Sequence, residues 1–321
     1  MSEAFSGAEG LAESTPVTRP GTGTGTGTGT VTGGRAAAEG ACWDTVRERL
    51  LRHGSALVHG TLGEWRPEEQ DSPGLRALLG RDWGRYTDLA DPGPRAGYAA
   101  SRRLLKYAAG AVLGAHPEEL ELAYGPTGRP YLRGCDQLDL SLSHTEDLLL
   151  VGLTTRGLIG VDAERTDRAM YAKGLGKHLC TPKELKELAA LPEESRNPVL
   201  VRLWTLKEAY SKALGQGMQF RFTEFGFGTD RGPTRVLRPD GTPATGDEWR
   251  FDTLGLTAQG TNYRVSAAVY DSGLGPGPDI GISTMLDGEA MDAVFRALDV
   301  EVEADAYADV EASARPRKPG R

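Results

Sequence analysis

Two short acidic segments hold the residues best suited to chemistry. The first is Gly160 to Glu164 (GVDAE), which closes an apolar run. On a strand, residues two apart point to the same face, so Asp162 and Glu164 project together. Two neighbouring carboxylates repel, and keeping both ionised calls for a cation. A hard divalent ion with oxygen ligands is the natural one. The pair also fits a strand end running into solvent. The second segment is Trp204 to Lys212 (WTLKEAYSK). At about 100° per residue, a helix here puts Trp204, Glu208, Ser211 and Lys212 on one face, with Lys207 at its border. Val199, Leu203, Leu206, Tyr210 and Ala213 fall on the other side and read as core. This segment also fits an amphipathic helix with a solvated charged face, where Glu208 and Lys212 form an i,i+4 surface pair.

Positioning these groups requires a strand at Gly157 to Glu164 and a long helix later in the chain. Asn197-Pro198 reads as the start of that helix, with Asn as cap and Pro in the first turn. Trp43 to Arg52, Ala99 to Leu113 and Thr181 to Leu191 also have helical patterning. Ala56 to His59, Tyr131-Leu132, Leu138 to Ser143, Leu148 to Thr154, Trp249 to Leu254 and Tyr263 to Tyr270 read as strands. Helix-then-strands occurs about twice. The expected fold is α+β: two similar halves in pseudo-twofold arrangement, each a small antiparallel sheet packed with a long helix, with the active site at their interface. The expected boundaries are a disordered Gly/Thr-rich tail over 1–42, an N-terminal half over 43–157, a C-terminal half over 158–272, and a largely disordered tail over 273–321. Glu289 to Val300 has helical spacing within that last tail.

The two segments together resemble the paired signatures of the 4'-phosphopantetheinyl transferases: G-x-D-x-E, then W-x-x-K-E-x-x-x-K some forty residues on. Ser141-Leu142-Ser143-His144, Gly128-Arg129-Pro130-Tyr131 and Ser101-Arg102-Arg103-Leu104-Leu105 are similar to further segments of that family, in the same order. The resemblance spans roughly 80–272. Two halves in one chain look like the larger, surfactin-synthetase-activator type. It implies an enzyme, a holo-[acyl-carrier-protein] synthase. Such an enzyme moves 4'-phosphopantetheine from coenzyme A to a serine of an acyl or peptidyl carrier protein and releases adenosine 3',5'-bisphosphate. The alternatives are another magnesium-dependent pyrophosphate-cleaving enzyme and a non-catalytic carrier-binding protein.

By the same resemblance, Asp162, Glu164 and Glu208 hold Mg2+, with Mn2+ as an alternative. Glu208 is the candidate general base, and Lys212 assists the leaving group. Arg102, Arg103, Arg129, Ser143, His144, Lys207 and Lys212 bind the coenzyme in the N-terminal half and across the junction. Arg129 stands where the family often has lysine; it keeps the charge and adds a planar fork. The stretch Thr87 to Pro94 lacks the family's basic residues, and Arg81, Arg85 or Arg95 are the substitutes on offer. Residues 168–179 mix basic and apolar side chains, so Lys173, Lys177, Met170 and Leu175 form the expected carrier contact.

Composition bounds this reading. The chain has 321 residues, 39% hydrophobic, with a net charge of -8, which argues against nucleic-acid binding. Three cysteines without a C-x-x-C pair leave no disulfide framework or zinc knuckle. No apolar stretch is long enough to span a bilayer, and the N-terminus does not read as a signal peptide. A cytoplasmic monomer is expected.

Overall fold

The run from Leu148 to Leu153 lacks polar alternation, the pattern of a strand covered on both faces. The structure, a computed structural model, describes residues 14–17, 33–216, 220–230, 235–271 and 273. All of these fall in the first of two compact units, residues 1–284. The run is strand β6 (Leu148–Thr154). It lies inside a four-stranded sheet with β1 (Ser14–Pro16), β2 (Ser55–Thr61) and β5 (Asp139–Thr145), in the order β1-β2-β6-β5. β2, β6 and β5 are antiparallel neighbours, and β1 adds parallel to β2. Leu149, Val151 and Leu153 face one core with Val58, Trp65, Leu104 and Leu105. Leu148 and Leu150 face a second core with Leu57, Ile159, Val161, Val265 and Val269. Burial of each such side chain contributes about 1.5–3 kcal/mol, which fixes the register of β6 from both sides.

The first core includes residues of two long helices, α1 (Gly33–His53) and α5 (Pro92–Leu113). α5 starts with Pro92 in its first turn and stops at Gly114, whose φ of 69° is the left-handed conformation a glycine adopts freely. The second core is closed by a three-stranded antiparallel sheet in the order β7-β9-β8, from β7 (Gly157–Arg165), β8 (Trp249–Ala258) and β9 (Thr261–Asp271). Helix α8 (Glu193–Ala213) packs on the outer face of that sheet. Gly160, between the inward-facing Ile159 and Val161, points at α8. A Cβ there would lie 1.9 Å from the Ala209 carbonyl oxygen. Tyr210 anchors α8 among Trp249, Phe251, Phe225 and Phe227, with ring centroids 4.7–6.1 Å away. The layers are therefore helices, sheet, sheet, helix. This is the expected α+β class, with small antiparallel sheets packed against helices.

Short helices fill the first half: α2 (Leu62–Trp65), α3 (Pro73–Leu79) and α4 (Asp82–Asp88), none of them anticipated from the periodicity. A two-stranded ribbon joins β3 (Leu122–Tyr124) to β4 (Pro130–Leu132). In the second half, α6 (Gly176–Leu179) and α7 (Pro182–Ala190) precede α8. Thr181 and Glu184 form a reciprocal capping box at the start of α7.

Three expectations are corrected. The N-terminal tail is not featureless: β1 covers the edge of β2, Val17 is buried, its N–H bonds the His59 carbonyl at 2.9 Å, and its carbonyl accepts the Trp65 indole at 3.2 Å. Composition misses this because a few residues suffice to cover a sheet edge. α1 likewise begins at Gly33, ahead of the expected Trp43. α8 begins at Glu193 rather than at Asn197-Pro198, and Pro198 lies inside it. In the second turn, the missing proline N–H forfeits the helical bond to the Glu194 carbonyl. Asn197 is freed for another task. Its Oδ1 accepts the Met170 and Tyr171 N–H groups at 2.9 and 3.0 Å, and its amide donates to the Arg168 carbonyl. The helix expected at 289–300 lies outside the described residues. None of the described helices is long and apolar enough to cross a membrane.

Candidate active site

β5 is the edge of the first sheet and β7 the edge of the second, and the C-terminal half of α8 lies beside them. Where they meet, a cleft of about 570 Å³ opens. Ser143, His144, Asp162, Glu164, Glu208 and Lys212 line it, with Trp204, Thr145, Arg168 and Arg129 around them. The two acidic segments, some forty residues apart in sequence, thus share one cavity. Trp204, Glu208 and Lys212 present the helix face expected from the 100° spacing, while Ser211 is buried with its hydroxyl on the Glu208 carbonyl.

Lys212 does not pair with Glu208. Its Nζ donates to Asp162 Oδ1 at 2.6 Å, to Ser143 Oγ at 3.0 Å and to the Val161 carbonyl at 3.2 Å. Ser143 in turn donates to Asp162 Oδ1 at 2.8 Å. Glu164 accepts from Thr145 Oγ1 at 3.3 Å and from the Arg165 N–H at 2.9 Å, and pairs with the Arg168 guanidinium. The Glu208 carboxylate takes no hydrogen bond from the described residues and is nearly buried. Burial, then the neighbouring Asp162 charge, push its pKa up to about 7 against the pull of Lys212. His144 sits at the rim. The surrounding protein, then the Lys212 and Arg102 charges, hold its pKa below the ordinary imidazole value, which favours the neutral ring.

The donor set suits a hard divalent cation. Asp162, Glu164 and Glu208 offer only oxygens, Asp162 Oδ2 is buried without a hydrogen-bond partner, and Glu208 is short of positive charge. Among the described residues no three acid, histidine or cysteine side chains converge as a ready-made cage, because Lys212 and Arg168 each hold an oxygen of Asp162 and Glu164. An ion would be held through Asp162 Oδ2 and Glu208, with Glu164 once Arg168 gives way.

Three expected residues fall elsewhere, and a fourth, Arg129, is in the cleft but already engaged. Lys207 is fully buried on the far side of α8, where Nζ meets Glu184 Oε2 at 2.7 Å and the Leu179, Phe222 and Phe225 carbonyls at 2.6–2.7 Å. The 100° step from Glu208 carries it out of the cleft. Arg103 is buried, does not line the cleft and donates to the Trp65 carbonyl at 3.0 Å. Arg129 lines the cleft, but its guanidinium is engaged by Asp139 at 2.5 Å, the Ile159 carbonyl at 2.9 Å and the Ala213 carbonyl at 2.7 Å. Met170 is buried and gives no carrier contact, whereas Lys173 and Lys177 are exposed and Leu175 is half-buried. Arg102 does not line the cleft either, though its charge acts on His144; it is stacked 3.9 Å over Tyr98 and bonded to the Tyr124 hydroxyl at 3.2 Å. Arg85 lies 5.7 Å from the same Tyr124 ring, while Arg81 pairs with Glu121 and Arg95 with the Leu89 carbonyl.

Asp139, Ser141, Thr145 and Arg168 also reach the site, though the motifs give none of them a role of its own. The first three alternate with Leu140, Leu142 and His144, and that alternation of short polar residues along β5 was the available signal.

Residues 158–268, which carry Asp162, Glu164, Glu208 and Lys212, match the family model of the 4'-phosphopantetheinyl transferase superfamily. Over that segment the chain is similar to the superfamily. Three relatives agree. The 4'-phosphopantetheinyl transferase HetI of Nostoc sp. is 31% identical over 47% of this chain and 65% of its own length. The Synechocystis sp. protein slr0495 is 32% identical over 46% of this chain and 61% of its own. The 4'-phosphopantetheinyl transferase of Bacillus subtilis is 23% identical over 43% of this chain and 61% of its own. The chain thus spans a little over three fifths of the length of these three relatives. The superfamily match lies wholly in the second half, so Arg129, Ser143 and His144 of the first half rest on this chain's own geometry.

Proposed function

We propose that this chain transfers 4'-phosphopantetheine from coenzyme A to a serine of an acyl or peptidyl carrier protein, giving holo-carrier and adenosine 3',5'-bisphosphate. The observation that carries this is the single cleft in which Asp162, Glu164, Glu208 and Lys212 meet Ser143 and His144 across the junction of the two halves. Its two-half build within one chain favours the surfactin-synthetase-activator type, working as a monomer.

Asp162, Glu164 and Glu208 would hold Mg2+ or Mn2+. Such an ion, when bound, supplies charge neutralisation and orientation for a pyrophosphate. Lys212, already within hydrogen-bond reach of the Asp162 carboxylate, adds positive charge where the leaving phosphate forms. Glu208, on the adjoining turn of α8, is placed to accept the proton of the carrier serine as its oxygen attacks the β-phosphorus. At the rim, neutral His144 can donate to a phosphate oxygen, while Arg102 and Arg85 bring charge to the same end. Of the substitutes for the basic residues absent from 87–94, Arg85 is the one beside Tyr124, the partner of Arg102. Exposed Lys173 and Lys177, on the segment that follows the cleft residue Arg168, are the proposed contacts for an acidic carrier surface.

Incubation of the chain with coenzyme A, Mg2+ and an apo-carrier tests the reading by intact mass. A carrier mass gain of one phosphopantetheine supports it. Release of adenosine bisphosphate with an unmodified carrier would show pyrophosphate cleavage alone.

A further inference from the structure

β5 and β7 are edge strands of different sheets, and no backbone ladder joins them. Side chains join them instead, from alternate residues of β5. Asp139 Oδ2 accepts the Ile159 N–H at 2.7 Å, and Ser141 Oγ accepts the Val161 N–H at 3.1 Å. Ser143 then donates to Asp162 Oδ1 at 2.8 Å, and Thr145 to Glu164 Oε1 at 3.3 Å. The first two rungs satisfy N–H groups that an edge strand would leave without partners. The last two land on the acids of the cleft.

The ladder is anchored at its Asp139 end. The oxygen that receives the Ile159 N–H also meets Arg129 Nη2 at 2.5 Å, and both side chains are largely shielded from solvent. Arg129 continues to the Ile159 and Ala213 carbonyls. One guanidinium therefore ties together β5, β7 and the last turn of α8, the three elements that carry Ser143, Asp162 with Glu164, and Glu208 with Lys212.

We infer that Asp139, acting through Arg129 and supported by Ser141, is a positioning residue that sets the β7 carboxylates against Glu208 without touching a ligand. This rests on the reading that those acids hold a divalent ion, so its test reads ion binding apart from turnover.

Mn2+ affinity of the full chain, measured by electron paramagnetic resonance, is compared for wild type, Asp139→Asn and Ser141→Ala, alongside kcat and KM for coenzyme A. Outer partners of metal ligands typically shift affinity by about 10–100-fold. Asp139→Asn is expected to weaken Mn2+ binding about tenfold and to lower kcat, with KM for coenzyme A within about twofold of wild type. Ser141→Ala moves both in the same direction by less. Adding Arg129→Lys to Asp139→Asn costs little more, because the two residues act as one unit. Wild-type Mn2+ affinity in Asp139→Asn overturns the inference. So does an Arg129→Lys variant that raises KM for coenzyme A alone, which would make Arg129 a ligand contact. If Asp139→Asn does not fold, unchanged Mn2+ affinity in Ser141→Ala overturns it. A wild-type chain that binds Mn2+ in this ladder-dependent way yet modifies no carrier sinks the functional reading and leaves the ladder standing. A wild-type chain that binds no Mn2+ sinks both.

Discussion

Lys207 Nζ lies 2.7 Å from Glu184 Oε2, and both side chains are out of solvent. The next residue, Glu208, faces the cleft. One helical step therefore separates a structural ion pair from the proposed chemistry, and the two can be tested separately.

Lys207→Met should leave Glu184 as an uncompensated buried charge and cost about 3–5 kcal/mol. Chemical denaturation measures this. The surviving folded fraction should keep the wild-type KM for coenzyme A, since Lys207 does not reach the cleft. A Lys207 that bound phosphate would raise KM instead.

Gly160→Ala places a Cβ 1.9 Å from the Ala209 carbonyl oxygen and 2.4 Å from the Ala213 nitrogen, both backbone atoms of α8. The helix must shift off β7. Overpacking of this kind costs about 1–3 kcal/mol or more. The shift also moves Glu208 relative to Asp162, so transfer rate should fall further than the loss of Tm alone explains. Differential scanning calorimetry alongside the carrier mass assay checks both.

Glu208→Gln should lower kcat by about 10²-fold or more if Glu208 accepts the serine proton. In metal-free buffer it should also raise stability near pH 7.5. The Glu208 pKa is raised to about 7 on folding, so the folded state holds its proton over a range where the unfolded chain has lost it. Stability is then fullest below the unfolded value and falls as pH rises from about 4.5 to 7, by up to about 3 kcal/mol. The Gln variant lacks that slope. It should also lose much of the Tm gain that Mg2+ gives wild type. A wild-type slope in the variant would place the titration elsewhere.

His59 should give the opposite slope. It is buried under β1, its Nδ1 lies 3.0 Å from Ser14 Oγ, and burial outweighs Glu64 to push its pKa down to about 4. The unfolded chain then binds the extra proton between about pH 6.5 and 4. Stability is full above that window and falls as pH drops through it, by up to about 3 kcal/mol. Urea denaturation of His59→Asn across pH 4–7.5 should show a flatter acid limb than wild type.

Some of this molecule was already legible in the linear chain. The period-2 spacing of Asp162 and Glu164, and the period-3.6 spacing of Trp204, Glu208 and Lys212, are local properties of one strand and one helix. They survive folding unchanged, so both sets appear in the cleft. β6 was legible for the same reason, since its unbroken apolar run needed cover on both faces. What the sequence could not decide were the partners of long side chains. Lys207 and Arg129 carry the charges a phosphate site wants, but a flexible cation goes to whichever oxygens the packed halves bring near it. For Lys207 these were Glu184 and three carbonyls, and for Arg129 they were Asp139 and the ends of β7 and α8. The docking of Ser14 to Val17 on β2, and the side-chain ladder from Asp139 to Thr145, likewise depend on two sheet edges meeting across long sequence separation. No local pattern encodes that meeting; only the tertiary structure brings those edges together.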